Sequence, residues 1–111
     1  MKMLVETTLS GIAEIHLAGD LDAKGTGDIE VQFAAVTGEK SKVLLNLSQV
    51  GFLASIGIRS ILSASKVLNR RGGRLVLFDP CEAVEQVLKT CGVNGVVMIT
   101  HDRAEAETAL A

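Results

Sequence analysis

Apolar positions along the chain change their period several times, and each change marks a new element. Residues 12–18, IAEIHLA, nearly alternate: Ile12, Ile15 and Leu17 are apolar around Glu14 and His16. That pattern predicts a strand, paired as a hairpin through Ser10 and Gly11 with an earlier strand in MLVETT. The polar stretch GDLDAKGTGD, 19–28, reads as a loop. From about Asp28 to Val36 the period lengthens, and Ile29, Phe33 and Val36 share one helical face. Gly25 and Gly27 precede this helix, so its first turn is expected to fray.

KVLLNL, 42–47, is almost continuously apolar, which suits a strand covered on both faces as in a parallel sheet. SQVGFLA, 48–54, reads as a turn. A helix over about 57–70 follows, with Ile58, Ile61, Leu62, Ser65 and Leu68 on one side and Arg59, Lys66 and Arg70 directed away. Gly72 or Gly73 is its natural left-handed stop. RLVLF, 74–78, is another buried strand. DPCEAVEQVLK opens a helix in which Asp79 caps, Pro80 takes the first helical position and Glu82 completes a capping box. Ala83, Val84, Val87 and Leu88 form its core face. VVMI, 96–99, is a last short strand, and HDRAEAETALA closes the chain with Asp102 and Glu105 again at capping-box spacing. Strands alternating with helices predict one α/β domain over 1–111. Its sheet is mixed and mostly parallel, helices pack on it, and the hairpin strand lies at an edge.

Composition narrows the function classes. Apolar residues make up 48% of 111, enough for a core without staples. Phe33, Phe52 and Phe78 are the only aromatics, so that core is aliphatic. A net charge of −2 gives no bulk attraction to nucleic acid or anionic membranes. No apolar run approaches the ~20 residues that cross a bilayer, and the N-terminal stretch lacks the apolar core of a signal peptide. Cys81 and Cys91 stand ten apart with no C-x-x-C, which reads as two free thiols in a reducing cytoplasm.

One residue breaks the pattern. In GFLASIGIRSIL, 51–62, Ser55 lies between a buried strand and the following helix. Serine is a favoured N-cap, contributing about 1 kcal/mol by satisfying an orphan N–H. The same place suits a phosphoryl group, because a helix N-terminus tolerates an anion. Phosphorylation there adds about −1.5 to −2 charges and changes the outer surface without melting the helix.

Other chemistry is weaker. Leu53-Ala54-Ser55-Ile56-Gly57 lacks the first glycine of a G-x-S-x-G elbow. His16 reads as an ordinary strand histidine and His101 as a helix-entry residue, so no nucleophile–base–orienter set emerges. RRGGR, 70–74, lacks the P-loop lysine and falls where a helix must stop.

Taken together, GDLDA at 19–23, VLLNLSQVGFLASIGI at 43–58, RRGGRLVLFDP at 70–80 and AVEQVLKTCGV at 83–93 resemble the STAS domains of bacterial anti-sigma factor antagonists. The resemblance covers most of the chain in the expected order. It implies a non-enzymatic switch without a cofactor of its own. The unmodified form binds an anti-sigma factor that is also a serine kinase, which frees a sigma factor. ATP-dependent phosphorylation of Ser55 ends that binding, and a PP2C-like phosphatase restores it.

Within the family segment D-S-S/T-G-L, Ser55 matches the acceptor, Gly57 the glycine and Ile58 the leucine. Ala54 stands in place of aspartate and Ile56 in place of serine or threonine. The implied partner surface comprises Asp20, Asp22, Ala54, Ser55, Ile56, Gly57 and Arg59, on a cytoplasmic monomer or weak dimer. The alternative implied by the two departures is an unphosphorylated STAS scaffold in a lipid-transport or sensory complex.

Overall fold

The computed structural model describes residues 1–111, and alternation and helical spacing account for most of its elements. The order is β1 (Lys2–Thr7), β2 (Ala13–Leu21), α1 (Ala23–Glu39), β3 (Lys42–Leu53), α2 (Ser55–Arg70), β4 (Arg74–Phe78), α3 (Glu82–Thr90), β5 (Met98–Thr100) and α4 (Arg103–Leu110). A 3-10 turn, Val93–Gly95, lies between α3 and β5. The five strands form one sheet in sequence order. β1 is antiparallel to β2, and the remaining neighbours are parallel. The expected mixed, mostly parallel sheet with its hairpin strand at an edge is thus present.

Each parallel step advances in one direction, and crossovers of one hand then place α1, α2 and α3 on one face. Ile15, Leu17, Val43, Leu45, Leu75 and Leu77 point into that layer, where Ile29, Phe33, Ile58, Ile61, Leu68, Val84 and Leu88 meet them. Alternate strand residues Leu44, Val76 and Phe78 point the other way, under Ala106 and Leu110 of α4. The near-continuous apolar reading of β3 and β4 follows from this double cover.

Helix α4 packs on β3, β4 and β5 and leaves the β1–β2 side of its face open. There Leu4 is 62% exposed beside Lys2, His16, Ala18 and Gln49.

Several boundaries differ from the sequence expectation. Helix α1 starts at Ala23 rather than near Asp28, because the Asp22 carboxylate caps it by accepting from Gly25 N at 2.7 Å. Its first turn is packed, not frayed: Gly25 and Thr26 are buried. SQVGFLA is not a turn. β3 continues through Leu53, paired to β2 at Ala18–Leu21 across two register shifts. Strand propensity in Val50, Phe52 and Leu53 outweighs Gly51 there.

Helix α2 therefore starts at Ser55, with Ala54 as its N-cap. Its end is as expected: Gly72 has φ +76°, and Gly72 N and Gly73 N donate to Asn69 O and Leu68 O in a Schellman closure. Helix α3 begins at Glu82 with Cys81 as N-cap. Asp79 is not its cap, since it adopts φ +56° and its carboxylate engages His101. Pro80 precedes the helix, and Ala83 is exposed rather than in the core. β5 is displaced to 98–100 because the 3-10 turn occupies 93–95. Asp102 caps α4, accepting from Ala104 N and Glu105 N.

Candidate functional site

Parallel strands end together, so β2 and β3 deliver their following loops to one edge of the sheet. Asp20 pairs with Phe52 and Leu21 with Leu53. Ala54 N then donates to Leu21 O at 3.0 Å, fastening the start of α2 to the start of the α1 loop. This brings the acidic loop and the Ser55 segment together, as expected for loops at the carboxyl ends of an α/β sheet.

Gly57 makes the approach close. A Cβ there would lie 2.8 Å from Leu21 O and 2.9 Å from both Leu21 Cβ and Leu53 Cδ1. Gly25 plays the same part for α1, where a Cβ would collide with Asp20 O. Two helices thus press their first turns onto residues 20–21 through one glycine each.

Ser55 itself is exposed and is the first helical residue, so the expectation that it caps α2 is overturned. No side chain caps this helix. The extra length of β3 shifts the cap position onto Ala54, which has no oxygen to offer. Ser55 projects its hydroxyl at the positive end of a 16-residue helix whose first N–H groups have no side-chain partner.

The structure places the sequence-designated residues at this edge in three roles. Asp20, Ser55, Ile56 and Arg59 are exposed; Asp22 and Ala54 are half-buried; Gly57 is buried. Asp22 is occupied as the α1 cap, and Gly57 acts through packing.

Sequence reasoning passed over Phe52, which is 54% exposed and paired to Asp20. Its signal was alternation beyond the turn-like Gly51. It also passed over the groove between α1 and α2, of about 350 Å³, bordered by Glu30, Phe33, Ile56, Arg59, Ser60 and Val67. Thr26 also lines this groove, and its buried hydroxyl has no hydrogen-bond partner.

Neither histidine serves Ser55. His101 lies between Asp79 at 2.8 Å and Glu85 at 2.7 Å, and His16 faces Glu6 at 3.1 Å and Glu14 at 3.5 Å. The bonds to Asp79 and then Glu85 raise the His101 pKa above its ordinary value. Cys81 and Cys91 are exposed free thiols. No helix is long and apolar enough to cross a membrane.

The chain is thus a small α/β domain with an exposed serine at a helix start and an acidic loop beside it. The chain belongs to the STAS domain family, whose model matches residues 4–106. It is similar to the anti-sigma F factor antagonist of Paenibacillus polymyxa, at 26% identity over 90% of this chain and 87% of that one. Its fold matches an anti-sigma factor antagonist from Mycobacterium paratuberculosis, with a TM-score of 0.88, 21% identity, and coverage of 98% and 92% of the two chains. It also matches the Bacillus cell fate determinant SpoIIAA in its phosphorylated form, with a TM-score of 0.73, 20% identity, and coverage of 99% and 100%.

Proposed function

We propose that this chain is an anti-sigma factor antagonist switched at Ser55. In its unmodified form the edge formed by Asp20, Phe52, Ser55, Ile56 and Arg59 binds an anti-sigma factor of the kinase type, and a sigma factor is released. The partner transfers the γ-phosphoryl of its own ATP to Ser55 Oγ, so that ADP leaves and the hydroxyl proton passes to a base or to solvent. A PP2C-like phosphatase hydrolyses the ester and resets the switch. The protein acts in the cytoplasm and is not itself an enzyme.

The observation that carries this reading is the position of Ser55. It is exposed, free of any capping duty, and at the end of a helix that favours an anion. Adding a phosphoryl group leaves α2 folded while placing about −1.5 to −2 charges beside Asp20 and Asp22. The similarity to an anti-sigma F factor antagonist supports the partner class, and SpoIIAA supplies a phosphorylated precedent on the same fold.

A second reading has its own observation. Ala54 offers no carboxylate at the cap, and Ile56 is 41% exposed at the mouth of the α1–α2 groove. Both suit an unphosphorylated scaffold that binds through apolar contact.

Calorimetric titration of an anti-sigma kinase with Ser55→Ala and Ser55→Asp separates the two. The switch predicts that the alanine variant binds like wild type and the aspartate variant binds poorly. The scaffold predicts equal binding by both.

A further inference from the structure

We propose that β1 is a self-complementary edge through which two copies of this chain pair antiparallel about a two-fold axis at Leu4. The pairing joins the two sheets into one continuous sheet.

β1 ends the sheet with nothing beyond it. Natural edges are blunted by proline, bulges, inward charge or charged side chains, lysine above all. β1 has no bulge and no proline, since its register with β2 is unbroken from Lys2 to Thr7 and the only proline is Pro80; its two charges, Lys2 and Glu6, are of opposite sign and can pair across a seam.

The backbone phase is fixed by the hairpin. Thr8 N donates to Ile12 O, so Thr8 directs its backbone toward β2. Alternation then turns Glu6, Leu4 and Lys2 inward and leaves the N–H and C=O of Met3, Val5 and Thr7 pointing out of the sheet. A second β1 can bond only where these outward residues face each other.

Five symmetric registers meet that condition, with the axis on Met3, Leu4, Val5, Glu6 or Thr7. Only the axis on Leu4 pairs every charge, placing Lys2 against Glu6 of the second copy and Glu6 against its Lys2. Met3 and Val5 then exchange backbone bonds in both directions. Leu4 meets Leu4 at a position without backbone bonds, where side chains approach most closely.

Both faces of the seam gain from this register. On the open face the pairing covers Leu4, 62% exposed, between two Lys–Glu pairs. On the helix face it closes over Met3 and Val5, which pack against the main core only in part. A symmetric contact of this kind closes on itself and does not grow into a fibre. Ser55 follows β3, two strands in from the seam, so both copies keep their partner edge free and the proposal does not depend on the switch at Ser55.

Sedimentation velocity over a concentration series tests it. Wild type should rise toward twice the 11.7 kDa of one chain. Glu6→Lys sets like charges across the seam at two symmetric places and should weaken the dimer roughly tenfold or more. The double reversal Lys2→Glu with Glu6→Lys restores both pairs and should restore the dimer. Val5→Pro removes an outward N–H while sparing the β2 ladder, and should leave a folded monomer by circular dichroism.

A wild type that stays monomeric at millimolar concentration overturns the proposal. So does a dimer that Glu6→Lys leaves unchanged. Should Val5→Pro fail to fold, the charge reversal and its rescue decide.

Discussion

Glu14 and Arg103 meet end on across 89 residues of sequence: each carboxylate oxygen accepts from one terminal guanidinium nitrogen at 2.8 Å. Asn46 Nδ2 adds a bond to the same carboxylate at 3.1 Å, and the guanidinium stacks 4.8 Å over Phe78. Glu14 is only 5% exposed. The pair therefore pins the first residue of α4 to β2 and satisfies a charge that burial alone would penalise.

Arg103→Met should lower stability at pH 7 by about 1.5–3 kcal/mol, the range for losing charge-assisted hydrogen bonds. Arg103's bonds, opposed by burial and helped by Asn46, hold the Glu14 carboxyl below the usual carboxylate range. A depressed folded pKa gives stability that is present above the ordinary value of ~4.3 and is lost as pH falls through the folded value. Urea denaturation at pH 7 and in acid should show the gap between wild type and variant closing at the lower pH.

His101 carries a carboxylate on each ring nitrogen, Asp79 on Nδ1 and Glu85 on Nε2. Carboxylates only accept, so both nitrogens must hold protons and the clasp needs the imidazolium. It joins the turns before α3 and α4 to the first half of α3. A raised folded pKa gives stability fully present below ~6.5 and lost as pH climbs through the folded value. Thermal midpoints of wild type and His101→Gln should differ most near pH 6 and converge in alkali. Lys89, 3.2 Å from Glu85, gives that carboxylate a second cationic partner beside His101.

The inward face of α2 sets how firmly Ser55 is presented. Ile61 is 2% exposed in the layer between helix and sheet. Ile61→Ala should cost about 2–5 kcal/mol in chemical denaturation. A cost below about half a kcal/mol would contradict the packing of this face.

Gly57→Ala tests how α2 is seated. Its new Cβ meets backbone and strand side chains rather than a flexible tip, so the helix must lift from Leu21 and Leu53. Destabilisation of about 1–3 kcal/mol is expected, with weakened partner binding because Ser55 moves. Titrating the partner with this variant and comparing denaturation midpoints checks both effects.

The core and the chain order were legible because strand and helix periods differ and the apolar residues keep to them. Ile15 and Leu17 on β2, and Ile58, Ile61 and Leu68 on α2, face the layer their spacing requires. The ends of elements were less legible. Gly51 looked like a turn residue, yet pairing with Gly19, Asp20 and Leu21 carries β3 to Leu53. That tertiary pairing moved the α2 cap to Ala54 and freed Ser55.

Gly25 and Gly27 suggested a frayed start to α1, but Gly25 is there because no side chain fits against Asp20. The Glu14–Arg103 pair left no local trace, since its members lie at opposite ends of the chain. Ser55, the proposed acceptor, stood out through its place between strand and helix and through the family segment around it.

Because Ser55 caps nothing, Ser55→Ala should change stability by no more than about 0.5 kcal/mol. Ser55→Asp should gain a few tenths, as an anion in the first turn of a helix. Melting both variants beside wild type checks this, and it makes them clean probes of the switch.

The most direct test of that switch is the intact mass of the protein after incubation with an anti-sigma kinase and ATP. Wild type is expected to gain one phosphoryl group, located to Ser55 by fragmentation. Ser55→Ala gains none, and a PP2C-type phosphatase removes the group from wild type. An unchanged wild-type mass under conditions where the two proteins bind, or a phosphoryl group that persists in Ser55→Ala, would contradict it.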